Sequence, residues 1–381
     1  MPSLPEAQAW RETRSEEGNV KYDLRRCQPH GYTRPVGESS SRRRIAMRAL
    51  EAAVALLVIA TVGSAAWLGY ALHTVSPATG LSDLAALIQS SSPRPGSLAS
   101  QVDLNQRINI LLLARGGSSN DNPNYTDTIL VVSVRPDSRE VTVIALPRYL
   151  WVTIPAPVTG TVEGKLYSAY ALGASNAPGF LRPQWRTPTG AGDLAAATVA
   201  ATIGQPIDYW VAIDPDGLAA IIDAFGGIRL TVPNELDDYQ YPLDDTDQTT
   251  HVHFDAGPQT LSGQRAVQYA RSRLSTSDTD RSRRQELVLA ALLHTIRTGR
   301  MGLGIISAAG PIAQGLRTNL RPIEIRELAQ LMSGVQESDI RNITLDDSGL
   351  LEDQSGPAGD VVVPRDGSYA AVRQFVAEQL L

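Results

Sequence analysis

The sequence predicts an α/β protein in which a mixed central β-sheet is flanked by helices and preceded by one transmembrane helix. Apolar runs of strand length, such as 107–113 and 128–134, recur through the C-terminal part of the chain. Segments of helical periodicity lie between these runs without strict alternation, which favours a mixed sheet. The stretch 52–72 carries no charge, and roughly 20 apolar residues suffice to cross a hydrocarbon core.

The predicted strands and helices form one globular region. Strands are expected at 107–113, 128–134, 140–146, 150–154, 209–213, 228–232, 340–345 and 361–363. Helices are expected at 165–172, 192–203, 215–224, 261–269, 284–297, 323–332 and 369–380. The turn dipeptide Pro136-Asp137 predicts that the second and third strands are antiparallel neighbours. Residues 234–250 are acidic and rich in turn residues, and we expect a long loop there.

The apolar stretch is expected to anchor the chain with its N-terminus in the cytoplasm. Positively charged flanks remain on the cytoplasmic side, and four arginines precede the stretch: Arg42, Arg43, Arg44 and Arg48. Trp67 and Tyr70 lie near its far end, where interfacial aromatic residues are expected. A cleaved signal peptide is the alternative, but the run is long for one and begins more than 40 residues into the chain.

This placement divides the chain into four regions. They are a largely disordered cytoplasmic tail (1–46), a transmembrane helix (47–73), an extracytoplasmic linker (74–104) and a globular domain (105–381). The protein is therefore expected in the cell membrane, as a single-pass protein with its C-terminal domain outside. The single cysteine, Cys27, falls in the tail, so we expect the exported domain to fold without disulfides.

Composition and missing motifs exclude several functions. The chain has 381 residues, of which 43% are hydrophobic, enough for a large buried core. Its net charge of −6 argues against a nucleic-acid binder. The chain contains no Gly-x-Ser-x-Gly sequence, no Walker-type phosphate loop and no cysteine in the exported part. Nucleophilic serine or cysteine hydrolases and P-loop enzymes are therefore not indicated.

An arginine-rich loop is the strongest candidate for a binding site. The window 266–289 contains five arginines between two predicted helices: Arg271, Arg273, Arg281, Arg283 and Arg284. Guanidinium groups bind phosphate oxygens in pairs with fixed geometry, so the loop is a candidate pyrophosphate site. The alternative is an ordinary solvated surface, because Lys21 and Lys165 are the only lysines and arginine is the usual cation of this chain.

Two further candidates lie at the ends of predicted strands. Asp127 follows the polar loop 115–126 and begins a buried strand, while Arg148 follows the end of the next strand. A carboxylate at a strand end can hold Mg²⁺, which prefers carboxylate and phosphate oxygens. Phosphoryl transfer needs mainly charge neutralisation and alignment, which arginines and one metal ion supply. The alternative for Asp127 is an ordinary capping or turn aspartate.

His251 and His253 alternate along the chain and would face one side of a strand. They could share a metal ion, but no third ligand lies nearby in the sequence. An edge strand that carries two unrelated histidines is therefore the favoured interpretation.

The order of these segments resembles the LytR-CpsA-Psr family of membrane-anchored bacterial envelope proteins. The resemblance spans 105–381 and rests on these stretches: INILLL, YTDTILVVSV, VTVIALPRYLWVTIP, KLYSAYALG, DYWVAIDPDGLAAIIDAFGGIRLTVP, FDAGPQTLSGQRAVQYARSR and DRSRRQELVLAAL. It implies an α/β/α domain with a long apolar cleft for a polyprenyl chain. It also implies transfer of a glycopolymer from polyprenyl pyrophosphate to peptidoglycan or a similar acceptor, with Mg²⁺ bridging the pyrophosphate.

The resemblance assigns roles to individual residues. Asp127 matches the aspartate of the Ser/Thr-Asp-Thr motif, a metal-binding and catalytic position, and Arg148 matches the arginine of the Pro-Arg-Asp motif. The implied pyrophosphate-binding residues match the Arg-x-Arg and Arg-x-x-Arg-Gln motifs: Arg271, Arg273, Arg281, Arg284 and Gln285.

Three departures from the family pattern affect the expected metal site. The aspartate of the family's Gly-x-Asp-x-Arg motif is replaced by Gly116, an expected arginine by Tyr125, and the last residue of Pro-Arg-Asp by Tyr149. Asp121 or Arg115 could compensate from the loop. Two functions therefore remain open: an active glycopolymer transferase, or a catalytically impaired protein that binds polyprenyl pyrophosphate or wall polymer as a scaffold.

Overall fold

The computed structural model describes most of the predicted globular domain and two short N-terminal strands. The described ranges are 12–14, 20–23, 97–116, 124–242, 249–272, 315–332, 335, 339–356 and 359–381, together with Arg284 and scattered residues from 287 to 295. Among these residues, no helix is long and apolar enough to span a membrane. The predicted anchor (47–73) lies outside them.

The described elements comprise sixteen strands and seven α-helices. The strands are β1 Glu12–Arg14, β2 Val20–Asp23, β3 Ile108–Arg115, β4 Thr126–Val134, β5 Val141–Ala145, β6 Trp151–Ile154, β7 Thr161–Lys165, β8 Tyr209–Ile213, β9 Ile228–Val232, β10 Leu236–Pro242, β11 Thr249–Phe254, β12 Gly257–Leu261, β13 Leu316–Thr318, β14 Ile340–Thr344, β15 Leu351–Gly356 and β16 Gly359–Pro364. The helices are α1 Leu98–Asp103, α2 Ser168–Ala174, α3 Gly190–Ile203, α4 Pro215–Ala224, α5 Gly263–Arg271, α6 Pro322–Met332 and α7 Ala370–Gln379. The described residues between 284 and 295 are also helical.

A six-stranded sheet of order β13-β8-β3-β4-β5-β14 forms the centre of the domain. The β8–β3 and β5–β14 pairs are parallel, and the other three pairs are antiparallel. The mixed sheet and the antiparallel pairing of β4 with β5 confirm the sequence prediction. Every residue from Ile108 to Leu113 in β3 is buried, as expected for a central strand covered on both faces.

Helices cover both faces of this sheet. Leu111 and Leu113 of β3 point into one core with Val199 of α3 and Val376 of α7. Ile110, which points to the opposite face, packs in a second core with residues of α1 and α6. Because successive strand residues alternate between faces, one apolar strand contributes to both cores. Burial of each such aliphatic side chain stabilises the fold by roughly 1.5–3 kcal/mol.

A third core lies between smaller sheets and two helices. It joins the antiparallel β9–β12 pair and the β10–β11 hairpin to α4, α5 and the helical residues near 290. Phe254 and Tyr269 meet edge to face at its centre, with ring centroids 5.1 Å apart. This core supports helix α5, which carries the first residue of the arginine cluster at its C-terminus.

Four sequence expectations differ from the structure. The predicted linker 74–104 ends in helix α1, whose Leu98 is fully buried. The Pro and Gly residues before this short helix favoured the prediction of a linker. The expected loop 234–250 instead contains β10 and the start of β11. Strands β7 and β15 were missed because each is short and holds few apolar residues. The tail 1–46 contains β1 and β2, and β2 pairs in parallel with β7.

Helix α3 lies so close to β8 that Gly192 leaves no room for a side chain. A Cβ atom there would be 2.1 Å from Cε2 of the Trp210 indole, and the indole is held in place because its Nε1 donates to Asp193 Oδ1 at 2.7 Å.

We therefore expect Gly192→Ala to lower the free energy of unfolding by about 1–3 kcal/mol through overpacking. Urea denaturation measures the change. Gly356→Ala is the matched control, because a Cβ there meets no atom within 4 Å. Equal stability of the two variants would show that the α3–β8 contact can relax without cost.

Candidate functional site

Four strand ends meet at one edge of the central sheet. The C-terminal end of β3 pairs with the start of β4, and the C-terminal end of β5 lies on the other side of β4. The end of β8 lies beside the end of β3 because these strands are parallel. This topology brings together four charged residues: Arg115, Asp127, Arg148 and Asp214.

Asp127 is the extra residue of a β-bulge. In the β3–β4 ladder, Ala114 pairs with Thr128 and the next residue, Arg115, pairs with Thr126. Asp127 is therefore the residue at which the ladder register shifts. A bulge twists a strand and changes the direction of its side chains, and bulges are common beside active sites. The neighbouring Thr126 is buried, while Asp127 remains partly exposed.

Arg148 forms an ion pair with Asp127. One Nη of Arg148 donates to Asp127 Oδ1 and the other donates to the Tyr149 hydroxyl. Burial lowers the pKa of Arg148, but Asp127 and Tyr149 raise it by more, so its pKa lies above the ordinary value. Arg148 is thus a permanent cation. About a quarter of each paired side chain is exposed, so the pair faces solvent from the sheet edge.

Tyrosines surround this pair. The Arg148 guanidinium lies 4.5 Å from the Tyr149 ring centroid, and Lys165 Nζ lies 5.2 Å from the same ring. Tyr167 contacts the rings of both Tyr149 and Tyr125 edge to face, at centroid distances of 5.9 and 4.7 Å. Burial lowers the pKa of Lys165, Arg148 lowers it further, and Asp360 opposes them. Two cations therefore share one aromatic surface.

Arg115 occupies the neighbouring strand end and is paired with a carboxylate. Its Nη2 donates to Asp214 Oδ2 at 2.7 Å, and its Nη1 donates to Asn124 Oδ1 at 3.2 Å. The other oxygen of Asp214 caps helix α4 by accepting from the Gly217 amide at 2.8 Å. The Arg115 Nε is buried without a hydrogen-bond partner in the described part of the chain. Arg115 therefore brings positive charge to this edge and does not replace a missing carboxylate.

The arginine cluster is described only in part. Arg271 ends helix α5 and is partly buried. Four other residues of the predicted cluster lie outside the described ranges: Arg273, Arg281, Arg283 and Gln285. The loop residue Asp121 does so too. Their predicted roles stay predictions.

Arg284 is buried and donates hydrogen bonds to backbone carbonyls at the end of α5. Its side chain is buried, Nε donates to the Tyr269 carbonyl at 2.9 Å, and an Nη donates to the Ser272 carbonyl. It therefore holds the C-terminal end of α5, where helix carbonyls lack partners within the helix. The sequence indicated an arginine near α5 but not its burial, because the Arg-x-x-Arg-Gln spacing does not specify which side chain faces the core.

Sequence reasoning missed three residues of the sheet edge. Asp214 directly precedes the proline that begins α4, a position typical of a helix cap, and its sequence context gave no further signal. Tyr167 and Lys165 fell within a predicted helix, but Lys165 ends β7 and Tyr167 precedes α2. The available signal was a lysine at the end of a short strand with a tyrosine two residues later.

The oxygen ligands at this edge suit Mg²⁺ only in combination with a substrate. The described ranges contain one cluster of three His, Cys, Asp or Glu side chains that could bind a metal ion together. That cluster lies elsewhere and does not include Asp127. Mg²⁺ commonly binds through one or two carboxylates plus phosphate oxygens. Asp127, a partly exposed carboxylate paired with Arg148, supplies one such protein oxygen ligand.

Comparisons with known proteins agree with this architecture. The polyisoprenyl-teichoic acid–peptidoglycan teichoic acid transferase TagV of Bacillus subtilis is 27% identical over 227 residues, which cover 59% of this chain and 52% of TagV. TagU of Enterococcus faecalis, which has the same transferase name, is 26% identical over 239 residues, covering 61% of this chain and 69% of TagU. The chain thus spans about half the length of TagV.

The crystal structure of B. subtilis TagV superposes with a TM-score of 0.50 at 24% identity, covering 72% of this chain and 98% of TagV. This likeness concerns the fold. The model of the LytR_cpsA_psr family matches residues 83–361, which is more than half of the chain and includes all four charged residues of the sheet edge. The chain belongs to the LytR-CpsA-Psr family.

Proposed function

We propose that this protein transfers a glycopolymer from a polyprenyl-pyrophosphate carrier to peptidoglycan or another cell-envelope acceptor. The observation that carries the proposal is the Asp127–Arg148 pair, held at the central sheet edge by a bulge. Relatives named as teichoic acid transferases support the same class of reaction. The carrier, the acceptor and the membrane are the partners that this function requires.

The reaction we propose is a phosphoryl transfer. The acceptor hydroxyl attacks the phosphorus that bears the glycan, the bond from that phosphorus to the oxygen of the lipid phosphate breaks, and lipid monophosphate leaves. Arg148 and Arg115 provide fixed positive charge for the pyrophosphate oxygens, an electrostatic contribution that needs no reorganisation during the reaction. Asp127 accepts the hydroxyl proton and orients Arg148.

We propose Mg²⁺ as the cofactor, with Asp127 as its protein ligand. When bound, the ion would neutralise negative charge on the pyrophosphate oxygens. The arginine cluster would bind the pyrophosphate through Arg271, Arg273 and Arg281 together with Gln285. The contacts of Arg284 instead favour a supporting role in which it fixes the end of α5 that carries Arg271.

A scaffold function is the second candidate. It is favoured by the residue after Arg148, since Tyr149 offers a hydroxyl and an aromatic face where the family pattern has a carboxylate. Such a protein would bind lipid pyrophosphate or wall polymer without turnover.

Release of lipid phosphate by the wild type separates the two functions, and the variant Asp127→Asn tests the role of Asp127. We expect the full-length protein in detergent, given a polyprenyl-pyrophosphate glycan, an acceptor glycan and Mg²⁺, to release lipid phosphate. Asp127→Asn should slow that release about 10²–10⁴-fold, because it removes the proton acceptor and metal ligand. Asp137→Asn is the matched control, since Asp137 lies in the exposed turn at the opposite end of β4.

Wild-type protein that releases no lipid phosphate, but binds lipid pyrophosphate and loses that binding with Arg271→Ala, would establish the scaffold instead. Release unaffected by Asp127→Asn would refute the role of Asp127 alone. Arg229→Ala is the control for charge removal, because Arg229 is exposed on β9.

Arg284→Ala should act on stability. It leaves the buried carbonyls of Tyr269 and Ser272 without their donor, so we expect the free energy of unfolding to fall by about 2–4 kcal/mol. Arg229→Ala should change it by less than about 0.5 kcal/mol. If Arg284→Ala retained full stability and lost only lipid pyrophosphate binding, Arg284 would be a ligand residue.

We propose, from the charges that flank residues 52–72, that the protein lies in the cell membrane with residues 1–46 in the cytoplasm. The pairing of β2 with β7 favours the other arrangement, in which the N-terminal segment lies on the same side as the domain. If the segment is cytoplasmic, Cys27, the single cysteine, should react with a membrane-impermeant maleimide only after cells are permeabilised. Ser138→Cys in a Cys27→Ser background is the control, because Ser138 is exposed in the folded domain and should react in intact cells.

Labelling of Cys27 in intact cells would contradict that orientation. It would instead place the N-terminal segment on the same side as the domain, in agreement with the pairing of β2 with β7.

A further inference from the structure

The β10–β11 hairpin carries three metal-ligand side chains on one face. Asp237, His251 and His253 each offer one ligand atom, and these atoms all lie within 4.8 Å of one another. Asp237 pairs directly with His253 in the antiparallel ladder, and His251 lies two residues away on the same face. The sequence suggested that the histidines had no third ligand, and this expectation was wrong because the ligand comes from a paired strand.

One carboxylate oxygen faces both imidazole rings. Asp237 Oδ1 lies 2.9 Å from His251 Nε2 and 2.8 Å from His253 Nδ1. Asp255 Oδ1 lies 3.2 Å from the other ring nitrogen, Nε2, of His253. Each ring nitrogen of His253 therefore faces a carboxylate oxygen. The protonated ring donates to both Asp237 and Asp255, whereas the neutral ring with its proton on Nε2 donates to Asp255 and presents Nδ1 as a ligand atom beside Asp237.

Metal sites commonly show the same arrangement around a ligating histidine. A ligating histidine usually donates its other ring N–H to a carboxylate, which fixes the tautomer and the ring orientation. Asp255 is in position to do this for His253. The ring of His251 is fixed differently, by stacking on Tyr239 at a centroid distance of 4.1 Å and an interplanar angle of 3°.

Helix α5 and the residue that follows it also hold the hairpin in place. Arg265 of α5 donates to the His253 carbonyl, and its guanidinium lies 3.9 Å from the Phe254 ring centroid. Asp238, the residue after Asp237, accepts from Ser272 Oγ at 2.6 Å and is buried. The ligand set therefore stands on a backbone fixed by the third core, and such support keeps ligands in place before an ion binds.

We propose that Asp237, His251 and His253 bind one Zn²⁺ ion, with Asp255 as the outer hydrogen-bond partner of His253. Two imidazole nitrogens and one carboxylate oxygen match the three protein ligands of open zinc sites. The side chains of His251 and His253 are 47% and 38% exposed, so water can complete the coordination. Mg²⁺ does not suit this set, because it prefers oxygen ligands in octahedral geometry.

The site has a structural consequence. A metal ion that joins β10 to β11 would fix the strand on which Asp238 holds Ser272, the residue that follows Arg271. The zinc site would thereby steady the C-terminal end of α5. This inference does not depend on the proposed transferase activity.

Isothermal titration of the full-length protein in detergent, carrying no polyhistidine tag and previously treated with chelator, tests the proposal. We expect one Zn²⁺ site in the wild type. The double variant His251→Ala/His253→Ala and the single variant Asp237→Asn should lose it. His294→Ala is the matched control, because His294 is exposed on a separate helical segment, and it should bind as the wild type does. Asp255→Asn should weaken binding about 10–100-fold.

A second measurement separates lost ligands from lost folding. Zn²⁺ should raise the melting temperature of the wild type and His294→Ala but not of Asp237→Asn, while the circular dichroism of all variants should agree. X-ray absorption should show nitrogen and oxygen ligands at about 2.0–2.1 Å. Zn²⁺ binding that is absent, only millimolar, or equal in the double histidine variant would overturn the proposal.

Discussion

The burial of β3 on both faces is the constraint on which the rest of the domain depends. A strand covered by helices on each side must be largely apolar, and from Ile108 to Leu113 every residue is buried and Asn109 alone is polar. Charged residues appear only where this strand leaves the core. The first residue to do so is Arg115, and the neighbouring strands end at the same level. The position of the charged edge thus follows from the position of the hydrophobic core.

The charges at this edge are arranged as neutralised pairs within a positive surrounding. Arg148 faces Asp127 and Arg115 faces Asp214, while Lys165 approaches the same tyrosine as Arg148. Partly exposed ion pairs contribute little to stability, so these pairs are explained better by orientation of the side chains than by folding energy. An anionic ligand could exchange with the paired carboxylates and meet arginines that are already directed toward it.

Two different cation chemistries are separated in this fold. The sheet edge offers one carboxylate oxygen beside arginines, an arrangement that suits a hard ion shared with phosphate. The β10–β11 hairpin offers two imidazoles and a carboxylate, which suit a softer ion bound mainly by protein ligands. Helix α5 lies next to the hairpin and carries Arg271 at its end. Arg271, the first residue of the arginine cluster, therefore lies on a helix that also contacts the hairpin with the candidate metal ligands.

The sequence by itself determined the central strands, most helices and the mixed character of the sheet, because hydrophobic periodicity reports directly which faces are buried. It also determined the identity of the charged residues Asp127 and Arg148 at strand ends. Only the tertiary structure decided the bulge at Asp127, the burial of Arg284 and the meeting of Asp237 with the two histidines. These features depend on ladder register and on contacts between distant segments. A one-dimensional pattern contains neither, since a shift of one residue reverses every side chain of a strand without changing the sequence.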